Sequence, residues 1–420
     1  MKVTLLKIQR FFFADGSRLR SRPGLRFLFL SIGFGIHLSL PAMVRHVGAG
    51  QTYTSLSQAV AVTVPGDTIM IHEGNYPGGL SIANLQGTAV NRICILAAPS
   101  ETVTFNGGAN AWQMTDAAYI LIKGITFQHQ TGNGFNIDDG GSYNSPSHHI
   151  VFESCTFRDI KASGNNDLLK MSGVDFFEIK NCTFLNGAAG GSGIDLVGCH
   201  EGLISGNRFE NQGSNSIQIK GGSKNIYIKA NFFKNGGQRT LNLGGSTNLR
   251  FFRPADARYE AAALTVYSNI FIGSDVPIAY VGCIQTNVVN NTIYLPRKWV
   301  IRILQETVDT SRFYPCGNNS FKNNIVYRDS QVSQDCSIGP NTNPQSFSFS
   351  NNLWYHSQNP AWTGPTLPAT DINCMIGKDP LFNNAAADDF TLGKASPAGG
   401  KGYVQSGPHP GTKVNSKKQK

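Results

Sequence analysis

A chain of 420 residues with 15% charged residues, 46 glycines and Asn, Ser and Thr spread throughout excludes a helical bundle, because long runs of Ala, Leu, Glu and Lys are missing. The formal charge of +10 does not mark a nucleic-acid binder: residues 1–45 hold eight Lys or Arg against one Asp, and the segment from Lys413 adds four Lys. The ends carry the whole excess, the body between them is close to neutral, and no nucleic-acid partner is expected.

In residues 1–43, Arg18, Arg20, Arg22 and Arg26 precede an apolar run from Phe27 to Leu40, followed by Pro41-Ala42-Met43. A basic region, a short apolar region and small residues predict a signal peptide, with an N-terminal anchor as the alternative. The run is short and broken by Gly33, Gly35 and His37, so no transmembrane domain is expected after processing. The expected location is secreted, periplasmic or at the cell surface.

Residues 44–402 read as one repeating body. Ile125-Thr-Phe127, Cys155-Thr-Phe157, Cys182-Thr-Phe184, Asn207-Arg-Phe209 and Asn231-Phe-Phe233 align, with the Phe recurring after 30, 27, 25 and 24 residues. Asn269-Ile-Phe271, Asn291-Thr-Ile-Tyr294, Asn324-Ile-Val-Tyr327 and Asn352-Leu-Trp-Tyr355 continue the series. An alternating strand precedes each, such as Phe176-Phe-Glu-Ile-Lys180, and another lies before that: Phe135–Asp138, Leu169–Ser172, Ile194–Val197, Ile217–Lys220 and Leu241–Gly244. Such a unit cannot bury its own apolar face, whereas stacked copies bury it for one another. The expected fold is all-β: a single-domain right-handed parallel β-helix whose Phe and Asn positions stack from coil to coil.

Alternation places Phe135, Leu169, Ile194, Ile217 and Leu241 inside. One outward row then reads Asn136, Lys170, Asp195, Gln218, Asn242, and the adjacent row Asp138, Ser172, Val197, Lys220, Gly244. The strand within Lys298–Glu306 points Arg302 outward, and Arg239 lies at the lip of the Asn242 strand. The longest irregular insertion, between Gly245 and Ala262, carries Arg250, Arg253 and Arg258; it either walls a groove or is simply solvated. His148-His149 reads as structural, and Trp299 as packing or as a surface for a sugar ring.

The eight cysteines show no CxxC spacing and no pairing with His, so a zinc site is not expected. Cys155 and Cys182 occupy equivalent repeat positions and read as stacked core residues. Cys316 and Cys336, in a loop-like stretch, are candidates for a disulfide in an exported protein. Residues 403–420, basic and without apolar period, read as a disordered tail. The chain is expected to be a monomer.

The opening Val47-Gly-Ala-Gly-Gln-Thr-Tyr-Thr-Ser-Leu-Ser-Gln-Ala-Val60 and Pro65-Gly-Asp-Thr-Ile-Met-Ile-His-Glu-Gly-Asn-Tyr76, the segment Asn91–Pro99, and the closing Asp379-Pro-Leu-Phe382, Asp389-Phe-Thr-Leu392 and Ser396-Pro-Ala398 resemble exported right-handed β-helix proteins of the pectate-lyase-like superfamily. The terminal motifs are nearest to its alginate and chondroitin lyase branch. The resemblance implies a short capping helix within Tyr53–Val62, a polysaccharide-related setting, and a lyase that cleaves an acidic, uronate-containing polysaccharide by β-elimination. A noncatalytic carbohydrate-binding or surface β-helix protein, or a uronate C5-epimerase, are the alternatives.

Elimination requires the substrate carboxylate to be neutralised, the C5 proton to be removed and the 4-oxygen to depart. Lys or Arg commonly serves as base in this superfamily. The candidates here are Lys220 or Lys170 as base, Arg239 and Arg302 for the carboxylate, and Asn136, Gln218 and Asn242 for substrate contact. Asp138, Asp139, Asp167 and Asp195 are candidate ligands for Ca²⁺. The paired-Asp and Gly-His-Gly arrangement of pectin hydrolases, the Asp-Pro-His-Asp motif of mannuronan epimerases and the Asn…Glu-x-Glu calcium cluster of well-known lyases are not found. These candidates therefore rest on the outward rows.

Overall fold

The computed structural model describes residues 41–404. The expected export segment lies outside them except for its last three residues, and the basic tail except for its first two. Every strand of the body joins one of three parallel sheets of 15, 12 and 10 strands, and each pairs with its equivalent one coil away. A small antiparallel hairpin, Phe382–Asn384 with Asp389–Leu392, is the exception.

Stacking of identical side chains fixes the coil interior. Phe127, Phe157, Phe184, Phe209, Phe233 and Phe271 form a continuous ladder with ring centroids 4.6 to 5.1 Å apart, close to the spacing between strands. Beside it runs a buried ladder of Asn207, Asn231, Asn269, Asn291, Asn324 and Asn352. Each Asn side-chain oxygen accepts the backbone N–H of the preceding rung, from Cys182 to Asn324, at 2.8 to 3.0 Å. Asp371 ends the ladder by accepting from the Asn352 amide at 2.9 Å. Cys155 and Cys182 stand at the rungs before Asn207 and are buried.

At the first coil, Leu56–Val60 forms the expected short helix, with Ser55 and Gln58 closing a capping box and Leu56 and Ala59 buried. At the other end the chain folds back along the outside. Phe390 and Tyr403 of this return segment pack on Phe232 and Ile270, which point outward from the 12-stranded sheet. Tyr403 donates its backbone N–H to the Thr292 hydroxyl at 3.0 Å, so the body runs past residue 402.

All eight cysteines are free thiols. The proposed Cys316–Cys336 disulfide is not formed. Cys336 is not in a loop but in the strand Gln334–Ile338, opposite Ile301, while the Cys316 thiol interacts with that of Cys283. No helix among the described residues is long and apolar enough to cross a membrane.

Candidate functional site

The 10-stranded sheet carries the candidate residues. Its relevant strands are β1 (Phe135–Asp138), β2 (Leu169–Ser172), β3 (Ser192–Val197), β4 (Asn215–Lys220), β5 (Arg239–Gly244), β6 (Val276–Val281) and β7 (Trp299–Leu304). Pairing puts Asn136, Lys170, Asp195, Gln218 and Asn242 opposite one another in sequence, the outward row read from the repeats. The second row, Asp138–Ser172–Val197–Lys220, also holds. Its last expected member does not: a bulge after Gln218 sets Gly244 opposite Ile219 instead of Lys220.

Two insertions wall this sheet along one side. One, residues 139–146, follows β1; the other, residues 245–260, follows β5. The turns after β2 and β3 between them are tight, with Gly173 at φ +64° and Gly198 at φ +61°. A Cβ on Gly198 would meet that of Arg253 at 2.7 Å, and one on Gly173 would meet the Asp139 carboxylate at 2.2 Å. Glycine lets both insertions lie against the coil edge.

Arg253 fastens the second insertion. Its guanidinium donates to both oxygens of Asp175, at 2.7 and 2.5 Å, to the Gly198 carbonyl at 2.9 Å and to the Tyr143 carbonyl at 3.2 Å. The Tyr143 hydroxyl in turn donates to the Arg250 carbonyl, joining the two insertions. Glu260 is fully buried and accepts from the Gly221 and Thr247 backbone N–H groups, each at 2.9 Å, and from the Thr247 hydroxyl at 2.7 Å. The insertion is thus a fixed wall and not a solvated loop.

Wall and sheet form a cavity of about 900 Å³ lined by Asn136, Asp138, Lys170, Ser172 and Lys220 from the coils, and by Asp139, Tyr143, Thr247, Asn248, Arg250, Phe251 and Arg253 from the insertions. Within it Lys170 is pinned between two buried carboxylates: its ammonium contacts Asp195 Oδ2 and lies 3.3 Å from Asp167 Oδ2. Burial works against its charge, but Asp195 and Asp167 outweigh burial and hold the amine above the ordinary lysine range. Burial, and then Asp195, push Asp167 up to about 6. Asp195 is 1% exposed, and its Oδ1 has no hydrogen-bond partner; the Lys220 ammonium stands 3.4 Å away, an ion-pair contact without hydrogen-bond geometry. Lys220 is the less tightly held of the two amines.

The four aspartates do not converge. Asp138 accepts from Gln113 at 2.7 Å and from Asn136 at 3.2 Å. Asp139 accepts from the Gly141 N–H at 3.0 Å, and burial raises its pKa. Between Asp167 and Asp195, where a cation would sit, lies the Lys170 ammonium. Among the described residues no group of three His, Cys, Asp or Glu is placed to hold a metal ion, so these residues do not fit a Ca²⁺ shell.

Arg239 and Arg302 lie outside the cavity. Arg239 pairs with Glu306 at 2.8 Å and donates to Asn242 at 3.2 Å. Arg302, which donates to Ser337, belongs to β7, three coil steps from Lys220 and hence roughly 14 Å along the solenoid. Gln218 and Asn242 are not among the cavity-lining residues either. The residues the outward rows missed are those of the walls, chiefly Tyr143, Thr247, Asn248 and Phe251. His149 is stacked between Tyr119 and Phe176, with centroids at 4.3 and 4.9 Å, a structural place.

The family described as "Right handed beta helix region" matches residues 168–254, which include β2 to β5 and part of the wall. No curated protein matches the sequence significantly. Among solved structures, pectate lyase Pel9A is similar at 15% identity with a TM-score of 0.52, covering 88% of this chain and 94% of that one. An alginate lyase from Paenibacillus sp. str. FPU-7 aligns at 16% identity and a TM-score of 0.46, over 72% of this chain and 97% of that one. A mannuronic acid specific polysaccharide family 6 lyase from human gut microbiota aligns at 13% identity and a TM-score of 0.46, over 79% and 90%. The match to Pel9A concerns the path of the chain, and with the stacked parallel coils it settles the architecture: the protein is a right-handed parallel β-helix.

Proposed function

We propose that this protein cleaves an acidic, uronate-containing polysaccharide by β-elimination in the walled cavity, with Lys220 as the base. The observation that carries the reading is the unequal setting of two lysines on one carboxylate. Lys170 is gripped by Asp195 and Asp167 and stays charged. Lys220 faces the same cavity with a single looser contact. A neutral amine at that position can accept the C5 proton; the C5–H electrons form the C4–C5 double bond as the C4–O bond breaks. The resulting ammonium is then at hand to protonate the departing 4-oxygen.

Arg250 on the wall takes the part first assigned to Arg239 and Arg302, meeting the substrate carboxylate; its guanidinium rests 4.5 Å from the Phe251 ring centroid at the cavity edge. Asn136 and Ser172 supply neutral polar contacts from the floor. An exported or cell-surface location, expected from residues 1–43, suits a polymeric substrate.

The test is incubation with a panel of polyuronates, with and without added Ca²⁺, following absorbance of 4,5-unsaturated ends. Wild type and Lys229→Ala, altered at an exposed lysine of the 15-stranded sheet, are expected to generate signal, and Lys220→Ala is not. A silent panel with retained polysaccharide binding would replace this reading by the noncatalytic one, and inversion at C5 without cleavage would replace it by epimerisation.

A further inference from the structure

Beyond the cavity the same sheet carries a second group of cations that the proposed reaction leaves without a task. Arg302 and Lys298 both lie against the Trp299 ring, at 4.5 and 4.4 Å from its centroid. Arg239 reaches toward them from β5, and burial followed by the nearby charge of Arg239 lowers the Arg302 pKa. Glu306 is the carboxylate paired in this cluster, and it is engaged by Arg239. Three cations against one carboxylate leave net positive charge on a partly exposed indole.

Beneath this group Val276, Ala279, Val281 and Leu304 form an apolar patch against which Trp299 packs, so the indole is held in place. Pairing of Asn242 with Ala279 and of Ala279 with Arg302 sets the cluster on the same outward row as Asn136, Lys170 and Asp195. The line from cavity to cluster therefore follows the solenoid axis, and the wall built by residues 139–146 and 245–260 runs alongside that line.

We propose that Trp299, Arg302, Lys298 and Arg239 form a second subsite for an anionic sugar residue, which holds the polysaccharide roughly 14 Å from Lys220. The inference rests on the acidic-polysaccharide reading of the cavity. The indole takes the apolar face of a pyranose ring, and the guanidinium and ammonium groups take its carboxylate. A chain occupying both places runs along the axis, across the strands. A short oligomer fills the cavity and does not reach Trp299.

Calorimetry with the whole protein would compare a short oligouronate, a long polyuronate and a neutral polysaccharide of similar length. Arg302→Gln and Lys298→Gln are expected to weaken the long polyuronate about tenfold each, the scale of one charge-assisted contact, and to leave the short oligomer unchanged. Trp299→Ala should do the same, and the two milder variants keep the test valid if losing the indole disturbs the patch below it. Equal weakening of short and long ligands, or no change with either, would overturn the second subsite while leaving the cavity reading intact. Equal weakening of the neutral polymer would overturn its anionic character. A wild-type protein that binds no polyuronate of any length would overturn both.

Discussion

Arg253 and Asp175 are 78 residues apart in sequence, yet both guanidinium nitrogens of one reach both carboxylate oxygens of the other, at 2.7 and 2.5 Å. This pair ties the longest insertion to the strand edge and so determines that the 10-stranded sheet has a walled cavity and not an open face. Burial alone would raise the Asp175 carboxyl, but hydrogen bonds from Arg253 and His200 overcome it and hold it down to about 2.

Removing one member strands the other. Asp175→Ala is expected to destabilise the protein by about 3 kcal/mol at neutral pH, since it leaves a largely buried guanidinium unpaired. Because the folded pKa lies below the unfolded one, this stabilisation is fully present above about pH 4 and is lost as pH falls toward 2. Denaturant unfolding of Asp175→Asn and wild type should show a gap that closes over that window.

Asp167 predicts the opposite slope. Its pKa is raised to about 6 by burial and by Asp195, so the folded state binds a proton that the unfolded chain releases between about pH 4 and 6. Its contribution grows as pH falls through 6 toward 4, by on the order of 3 kcal/mol, and is absent above that range. Asp167→Asn should lack this gain, so wild type should improve relative to the variant as pH is lowered from 7 to 4, read by unfolding midpoints.

The two lysines should separate stability from activity. Lys170→Met leaves Asp167 and Asp195 facing each other without their cation and is expected to cost about 3–5 kcal/mol. Lys220→Met removes a looser contact and should cost about 1 kcal/mol or less, while cutting formation of unsaturated ends by about 10²- to 10⁴-fold. Melting curves and initial rates on the same preparations check both.

Much of this is legible in the amino-acid sequence. The Phe spacing and the Asn at the head of each repeat announce ladders because equivalent atoms in a solenoid must meet, and Asn136-Lys170-Asp195-Gln218-Asn242 follows from side-chain alternation alone. The Gln218 bulge was not legible, since one extra residue in β5 leaves the apolar pattern of Leu241 and Leu243 intact. Nor was the wall: it depends on Arg253 finding Asp175, and no local pattern records a partner 78 residues away. Arg302 stands apart from Lys220 for a simpler reason, that each intervening coil adds about 4.8 Å.

The Asn ladder can be probed by itself. Asn269→Ala removes the acceptor of the Asn231 N–H and side-chain amide, at 2.8 and 3.0 Å. Two buried donors left unsatisfied should cost about 2–5 kcal/mol, seen as a lower unfolding midpoint.

The most direct test of Lys220 as the base is chemical rescue. Lys220→Ala should be nearly inactive on the polyuronate that wild type cleaves, and adding a small primary amine such as ethylamine should restore part of the rate, because the truncated side chain leaves room for an amine where the ammonium stood. A Lys220→Ala protein that forms unsaturated ends at the wild-type rate without added amine would contradict the account.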